Sequence, residues 1–200
     1  MPTISSSPSV NPSVNPTDTT TYVSSTLTLS TANVLSGYHG TMFYVKALSD
    51  VTVTSISMYT DLVYSGEPVQ VYSRPGKYSG FEGSSTGWTL VYDNSALPLL
   101  GRDSTTDIVG LNVNVPPGSF HSFYVWTPNS LLMYNPGTTE GALYSSNEYI
   151  EFYEGAGIGG LFDSDTLVAP RVLRGELSFD AEFIAEQSSA PSFSPSMNPR

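Results

Sequence analysis

Residues Val69–Asp93 read VQVYSRPGKYSGFEGSSTGWTLVYD. The pattern is two strands, Val69–Ser73 and Trp88–Tyr92, joined by a Gly/Ser-rich loop too long for a tight hairpin. Val69 and Val71 alternate with polar neighbours; Trp88, Leu90 and Tyr92 share one face of the second strand, with Thr89 and Val91 on the other. Arg74-Pro75-Gly76 stops the first strand, because proline fixes φ and glycine accepts the positive φ of a turn. The loop between them holds Tyr78, Phe81 and Glu82. An ordered loop with those contents is either a packed corner or a recognition surface, and the sequence leaves both open.

The same style of patterning runs outward from this hairpin. Strands are expected at Tyr22–Leu29, Thr41–Leu48, Val51–Thr60, Asp107–Val115, Phe120–Thr127, Leu131–Tyr134, Glu148–Tyr153 and Val172–Phe179. Within Val51–Thr60 the apolar phase switches between Val53 and Ile56, which predicts a bulge near Ser55. Pro116-Pro117-Gly118 and Asn135-Pro136-Gly137 are turns. The only helical pattern, Asp180–Gln187, has too few apolar residues to support a helix. The result is an all-β chain, an antiparallel β-sandwich of jelly-roll type with about ten strands. Residues 22–186 form this domain, flanked by disordered Pro/Ser-rich linkers over 1–21 and 187–200. Pro8, Pro12 and Pro16 recur every four residues, and Pro191, Pro195 and Pro199 repeat the spacing. Such a repeat buries no core and favours extended, solvated backbone. A bead between two stalks, part of a longer multidomain chain, is the organisation expected.

Composition bounds the function. The 200 residues carry 7 Lys/Arg against 18 Asp/Glu, a net charge of −11, and no cysteine. With so few basic residues and no basic run, phosphate neutralisation fails, which excludes a nucleic-acid role. Disulfides and thiolate chemistry are excluded too, and no apolar run predicts membrane insertion. The low charged fraction, 12%, and the abundance of Ser and Thr suit a hydroxyl-wetted β-domain outside a cell.

Five strings in this order carry a resemblance: GTMFYVKALSDVTVTSI at Gly40–Ile56, VQVYSRPGKYSGFEGSSTGWTLV at Val69–Val91, VPPGSFHSFYV at Val115–Val125, YSSNEYIEFYEGAGIGGLF at Tyr144–Phe162 and APRVLRGELSF at Ala169–Phe179. Together they resemble an uncharacterised extracellular β-sandwich module of diatom surface proteins, found between P-S-x-x-P linkers and also in exported bacterial proteins. The resemblance implies a β-sandwich at the cell surface or beyond it, and it carries no catalytic residues.

The candidate site residues are aromatic. Tyr78, Phe81 and Trp88 with Glu82 suit a sugar platform, since rings stack on a pyranose face and a carboxylate accepts its hydroxyls. The alternative is that Trp88 plugs the core and the loop rings cover its end. If Phe123 and Val125 are core, Tyr124 and Trp126 face solvent as a second platform, unless a loop covers them. Residues 140–186 hold ten acids and two arginines. Calcium needs six to eight hard oxygens, and any metal bound here would be Ca²⁺ with Asp163 and Asp165 as contributors; a solvated acidic face is the alternative. GAGIGG at Gly155–Gly160 departs from the G-x-G-x-x-G dinucleotide pattern. His121 shares its phase with Phe123 and Val125 and reads as a core histidine rather than a base. These features point to a non-catalytic extracellular module binding carbohydrate, as polysaccharide, or another matrix component. The rival is a structural spacer or protein-adhesion bead without a ligand pocket, with a glycan-active enzyme domain third.

Overall fold

Period-two patterning makes strands because a residue alternates faces at every step, so one face of each strand is buried while its backbone pairs on both sides. The computed structural model describes residues 21–30, 37–129 and 132–183. The linkers expected over 1–21 and 187–200 lie outside the described residues, apart from Thr21, which opens the first strand. The elements are β1 (Thr21–Ser30), β2 (Gly37–Tyr38), β3 (Gly40–Ala47), β4 (Val51–Met58), β5 (Val63–Pro75), β6 (Thr89–Leu100) and β7 (Thr106–Val115). They continue with β8 (Phe120–Trp126), β9 (Leu132–Pro136), β10 (Leu143–Ser146), β11 (Ile150–Ile158), β12 (Val168–Leu173) and β13 (Gly175–Phe183). A single 3-10 turn, Ser164–Thr166, is the one helical element among the described residues.

All pairings among the described residues are antiparallel. One sheet has the order β1-β13-β4-β7; the other runs β2-β9-β12-β11-β3-β8-β5-β6, with β10 also pairing β11. The main core lies between the sheets and includes Leu27, Phe43, Val45, Val53, Ile56, Val71, Ile108, Phe123, Val125, Phe152, Leu177 and Phe179. Within it the Phe43 ring centroid lies 5.7 Å from that of Phe123 and 5.2 Å from that of Phe152. Each such fully buried ring stabilises the fold by about 1.5–3 kcal/mol.

The bulge expected near Ser55 is present: the register of β4 on both β7 and β13 shifts between Val53 and Ser55. Three readings are corrected. Among the described residues thirteen strands replace the expected ten, because β2, β10 and the division of the last strand carry no separate pattern. The stretch Val172–Phe179 is two strands in different sheets, and the chain changes sheet between Leu173 and Gly175. There Gly175 has φ 156°, and a Cβ on it would lie 1.9 Å from the Ser57 carbonyl oxygen. Only glycine allows that approach. Finally, Trp88, Leu90 and Tyr92 do not share a face. Val71 opposes Tyr92 while Tyr72 opposes Leu90, so a bulge at Val91 turns Tyr92 toward the core and leaves Leu90 outside. The sparse helical pattern at Asp180–Gln187 is strand as far as Phe183.

The GAGIGG run has a packing explanation. The register of β11 on β3 shifts between Tyr153 and Ala156, and a Cβ on Gly155 would lie 1.9 Å from the Met42 carbonyl oxygen. The bulge brings two backbones together at a point where no side chain fits.

Candidate functional site

The outer face of the large sheet is the place where the sequence's aromatic candidates converge. Cross-strand partners share a face, so the registers line up four rows across it. The first row is Asp93–Gln70–Trp126–Gly40–Ile158, drawn from β6, β5, β8, β3 and β11. Next come Leu90–Tyr72–Tyr124–Met42–Ala156, then Arg74–Ser122–Tyr44–Tyr153, then Phe120–Lys46–Glu151. A face this rich in rings is not wet. The loop 76–88 between β5 and β6 and the loop 159–167 between β11 and β12 fold over it, and a second apolar cluster forms outside the sandwich.

That third layer decides the fate of each candidate. Tyr78 is fully buried; its hydroxyl donates to Glu140 Oε1 at 2.6 Å, and its ring lies 6.0 Å from Tyr44. Burial, then the Glu140 hydrogen bond, raises its hydroxyl far above the ordinary tyrosine range. Phe81 is 37% exposed, with the Arg74 guanidinium carbon 3.5 Å from its ring centroid. Glu82 accepts a 2.8 Å hydrogen bond from Gly80 N–H inside its own turn. Trp88 is half-buried, its indole N–H donating to Phe81 O at 3.0 Å and its ring 6.1 Å from both Tyr124 and Phe162. Trp88 therefore packs outside the sandwich and does not plug the inter-sheet core.

Phe123 and Val125 are core residues, as the strand pattern requires, yet Tyr124 does not face solvent. It lies at 0% exposure beneath Phe162, and its hydroxyl donates to Gly160 O at 3.0 Å. Loop cover, the alternative reading of the sequence, is what this residue obeys. Trp126 keeps a half-buried ring, with its Nε1 enclosed and without a hydrogen-bond acceptor among the described residues.

Beside Trp126 the sequence reading missed a polar chain. Tyr72 donates to Gln70 Oε1 at 3.0 Å, and Gln70 Nε2 donates to Asp93 Oδ1 at 3.4 Å. Burial, followed by the Asp93 charge, raises the Tyr72 hydroxyl and keeps it a donor. Both ends of the Gln70 amide are thereby oriented, and Asp93 is exposed. The signal was partly legible, since Gln70 and Tyr72 hold the polar phase of the quoted strand. Their juxtaposition with Trp126, 56 positions along the chain, was not.

The acidic residues are dispersed. Asp163 Oδ1 accepts from Asp165 N–H at 3.3 Å and caps the 3-10 turn. Glu154 is buried and accepts from Thr138 N–H, Thr138 Oγ1 and Thr139 N–H at 2.5, 2.9 and 2.8 Å. Glu151 faces Lys46 at 3.6 Å and accepts from the Tyr153 hydroxyl at 2.7 Å. Among the described residues no three His, Cys, Asp or Glu side chains gather as metal ligands. His121 packs 5.5 Å from Phe123 in the core phase, and burial, with Arg74 nearby, lowers its pKa to about 4. Among the described residues no helix is long and apolar enough to cross a membrane.

No protein-family model matches the chain, and no curated protein matches it in sequence.

Proposed function

We propose that this domain is a non-catalytic extracellular module that binds neutral polysaccharide along the Asp93–Gln70–Trp126 row. The observation that carries the reading is this row itself. A half-buried indole stands in register with an amide whose two ends are already oriented, next to an exposed carboxylate. Neighbouring strands are about 4.8 Å apart, so the row presents a ring and two hydrogen-bonding groups over roughly 10 Å. An aromatic face takes the C–H face of a sugar, and amide and carboxylate take its hydroxyls. The flanking proline repeats and the resemblance to diatom surface modules support a place at the cell surface, within a longer chain.

The strand order supports a jelly-roll reading of the sandwich. With β2 and β9–β12 set aside as additions, eight strands remain. They fall in the order first–eighth–third–sixth in one sheet and second–seventh–fourth–fifth in the other, which is the arrangement two Greek keys produce.

The test is affinity electrophoresis of the full chain in gels containing glucan, mannan or xylan. Retardation in at least one gel, weakened about tenfold by Trp126→Ala, is the expected result. No retardation by any of the three removes the reading. A second reading, a spacer or adhesion bead, is favoured by the complete burial of Tyr78 and Tyr124, and it is what remains if every gel is passed freely.

A further inference from the structure

Phe162 is the only non-glycine residue with a positive φ among the described residues, at 53°. An L side chain in that region is strained, and such strain persists where the surroundings impose it. What surrounds Phe162 is a cage of rings: Tyr72 at 5.0 Å edge-on, Tyr124 at 5.1 Å edge-on and Trp88 at 6.1 Å. These rings belong to the sheet face and the neighbouring loop, while Phe162 arrives from the loop 159–167. That loop bonds largely to itself: Gly159 N–H and the Asp163 carbonyl both meet Thr166 Oγ1, Asp163 N–H donates to Gly160 O, and Leu167 N–H donates to Ser164 O. Its side-chain hydrogen bond to the sheet comes from Tyr124, whose hydroxyl donates to Gly160 O, and Phe162 and Leu167 pack on the outer apolar cluster. Two of the cage rings, Tyr72 and Tyr124, lie in the second row of the outer face, next to the Asp93–Gln70–Trp126 row, and Trp88 reaches over them from the loop 76–88.

We propose that loop 159–167 is a lid and Phe162 its plug, filling in cis a second sugar subsite walled by Tyr72, Tyr124 and Trp88. Resting on the carbohydrate reading above, this adds a class of ligand: chains long enough to run from Trp126 into the cage once the loop lifts as a self-bonded unit. The plug competes with the ligand for the same rings, so removing it raises affinity. Phe162→Gly suits the test, because it deletes the ring and also relieves the left-handed backbone.

Hexasaccharides of glucose, mannose and xylose are titrated into the full chain, and the change in tryptophan fluorescence from Trp88 and Trp126 gives Kd; thermal melting establishes folding. The expected result is that Phe162→Gly binds about three- to tenfold tighter than wild type, and that adding Trp88→Ala abolishes the gain. Binding by wild type with no gain in folded Phe162→Gly overturns the lid and leaves the Trp126 row standing. Failure of wild type and variant with all three probes overturns both. If Phe162→Gly unfolds, Phe162→Asn, which also accepts left-handed backbone, carries the same comparison; unfolding of both makes Phe162 a core residue and overturns the lid.

Discussion

The Tyr78 hydroxyl donates to Glu140 Oε1 at 2.6 Å and so ties the loop after β5 to the loop between β9 and β10. The two partners are unequal. Tyr78 is fully buried, whereas Glu140 is exposed and retains water when its partner is lost. Removing one partner costs most when the group left behind is buried. Tyr78→Phe should therefore cost about 1 kcal/mol, and Glu140→Ala, which strands a buried hydroxyl, roughly 2–3 kcal/mol. Urea denaturation of both variants and of the double mutant measures this; equal single costs would contradict the asymmetry.

His121 makes stability depend on pH in a defined window. Its folded pKa of about 4 lies below the ordinary 6.5. The cause is burial first and the Arg74 charge second; the other pairing neighbours, Val45 and Pro75, carry no charge. The unfolded chain then binds the extra proton below pH 6.5. This contribution is full above about pH 6.5, declines as pH falls toward about 4, and is flat below that. Carboxylates titrate in part of the same range, so the readout is the difference between wild type and His121→Phe. Urea midpoints should fall less for the variant between about pH 7 and 5; parallel curves would contradict the assignment.

Glu154 holds the loop after β9 by accepting two backbone N–H groups and one hydroxyl. Glu154→Gln keeps a carbonyl oxygen for the two N–H groups, and the Thr138 hydroxyl can turn to accept from the new amide. Its cost should be about 1 kcal/mol, against roughly 3–4 kcal/mol for Glu154→Ala, which loses every acceptor and opens a cavity. Thermal melts rank the two, and a Gln variant as damaged as Ala would show that the charge itself is needed.

Asp163 acts here as a cap for the turn Ser164–Thr166. Asparagine caps as well as aspartate does, so Asp163→Asn should be neutral and Asp163→Ala should cost about 1 kcal/mol. Repeating the melts in millimolar calcium and in chelator separates this from a metal role. A calcium-dependent rise in Tm that Asp163→Asn abolishes would assign the carboxylate to an ion instead.

Much of the fold was written locally. Val53 and Ile56 in opposite phases announced the bulge in β4, and Phe123 and Val125 announced a core face, because a strand's periodicity is a property of neighbouring residues. Strand edges were less legible: β5 runs from Val63, well before the patterned Val69, since backbone pairing continues where side chains stop alternating.

By itself, the sequence determined that this chain is all β, that the Val69–Asp93 segment is a long-looped pair of strands, and which residues of β3, β4 and β8 face the core, though not those of β6, where the bulge at Val91 reverses the phase. Burial of alternate apolar side chains forces those outcomes whatever the strands pack against. Only the tertiary structure decided what happens on the opposite face. Tyr124 and Trp126 occupy equivalent phases of one strand, yet Tyr124 is sealed under Phe162 while Trp126 stands half-open beside Gln70. No local pattern distinguishes them, because the covering ring comes from a loop 38 residues further along the chain and its position depends on how the sheet registers align.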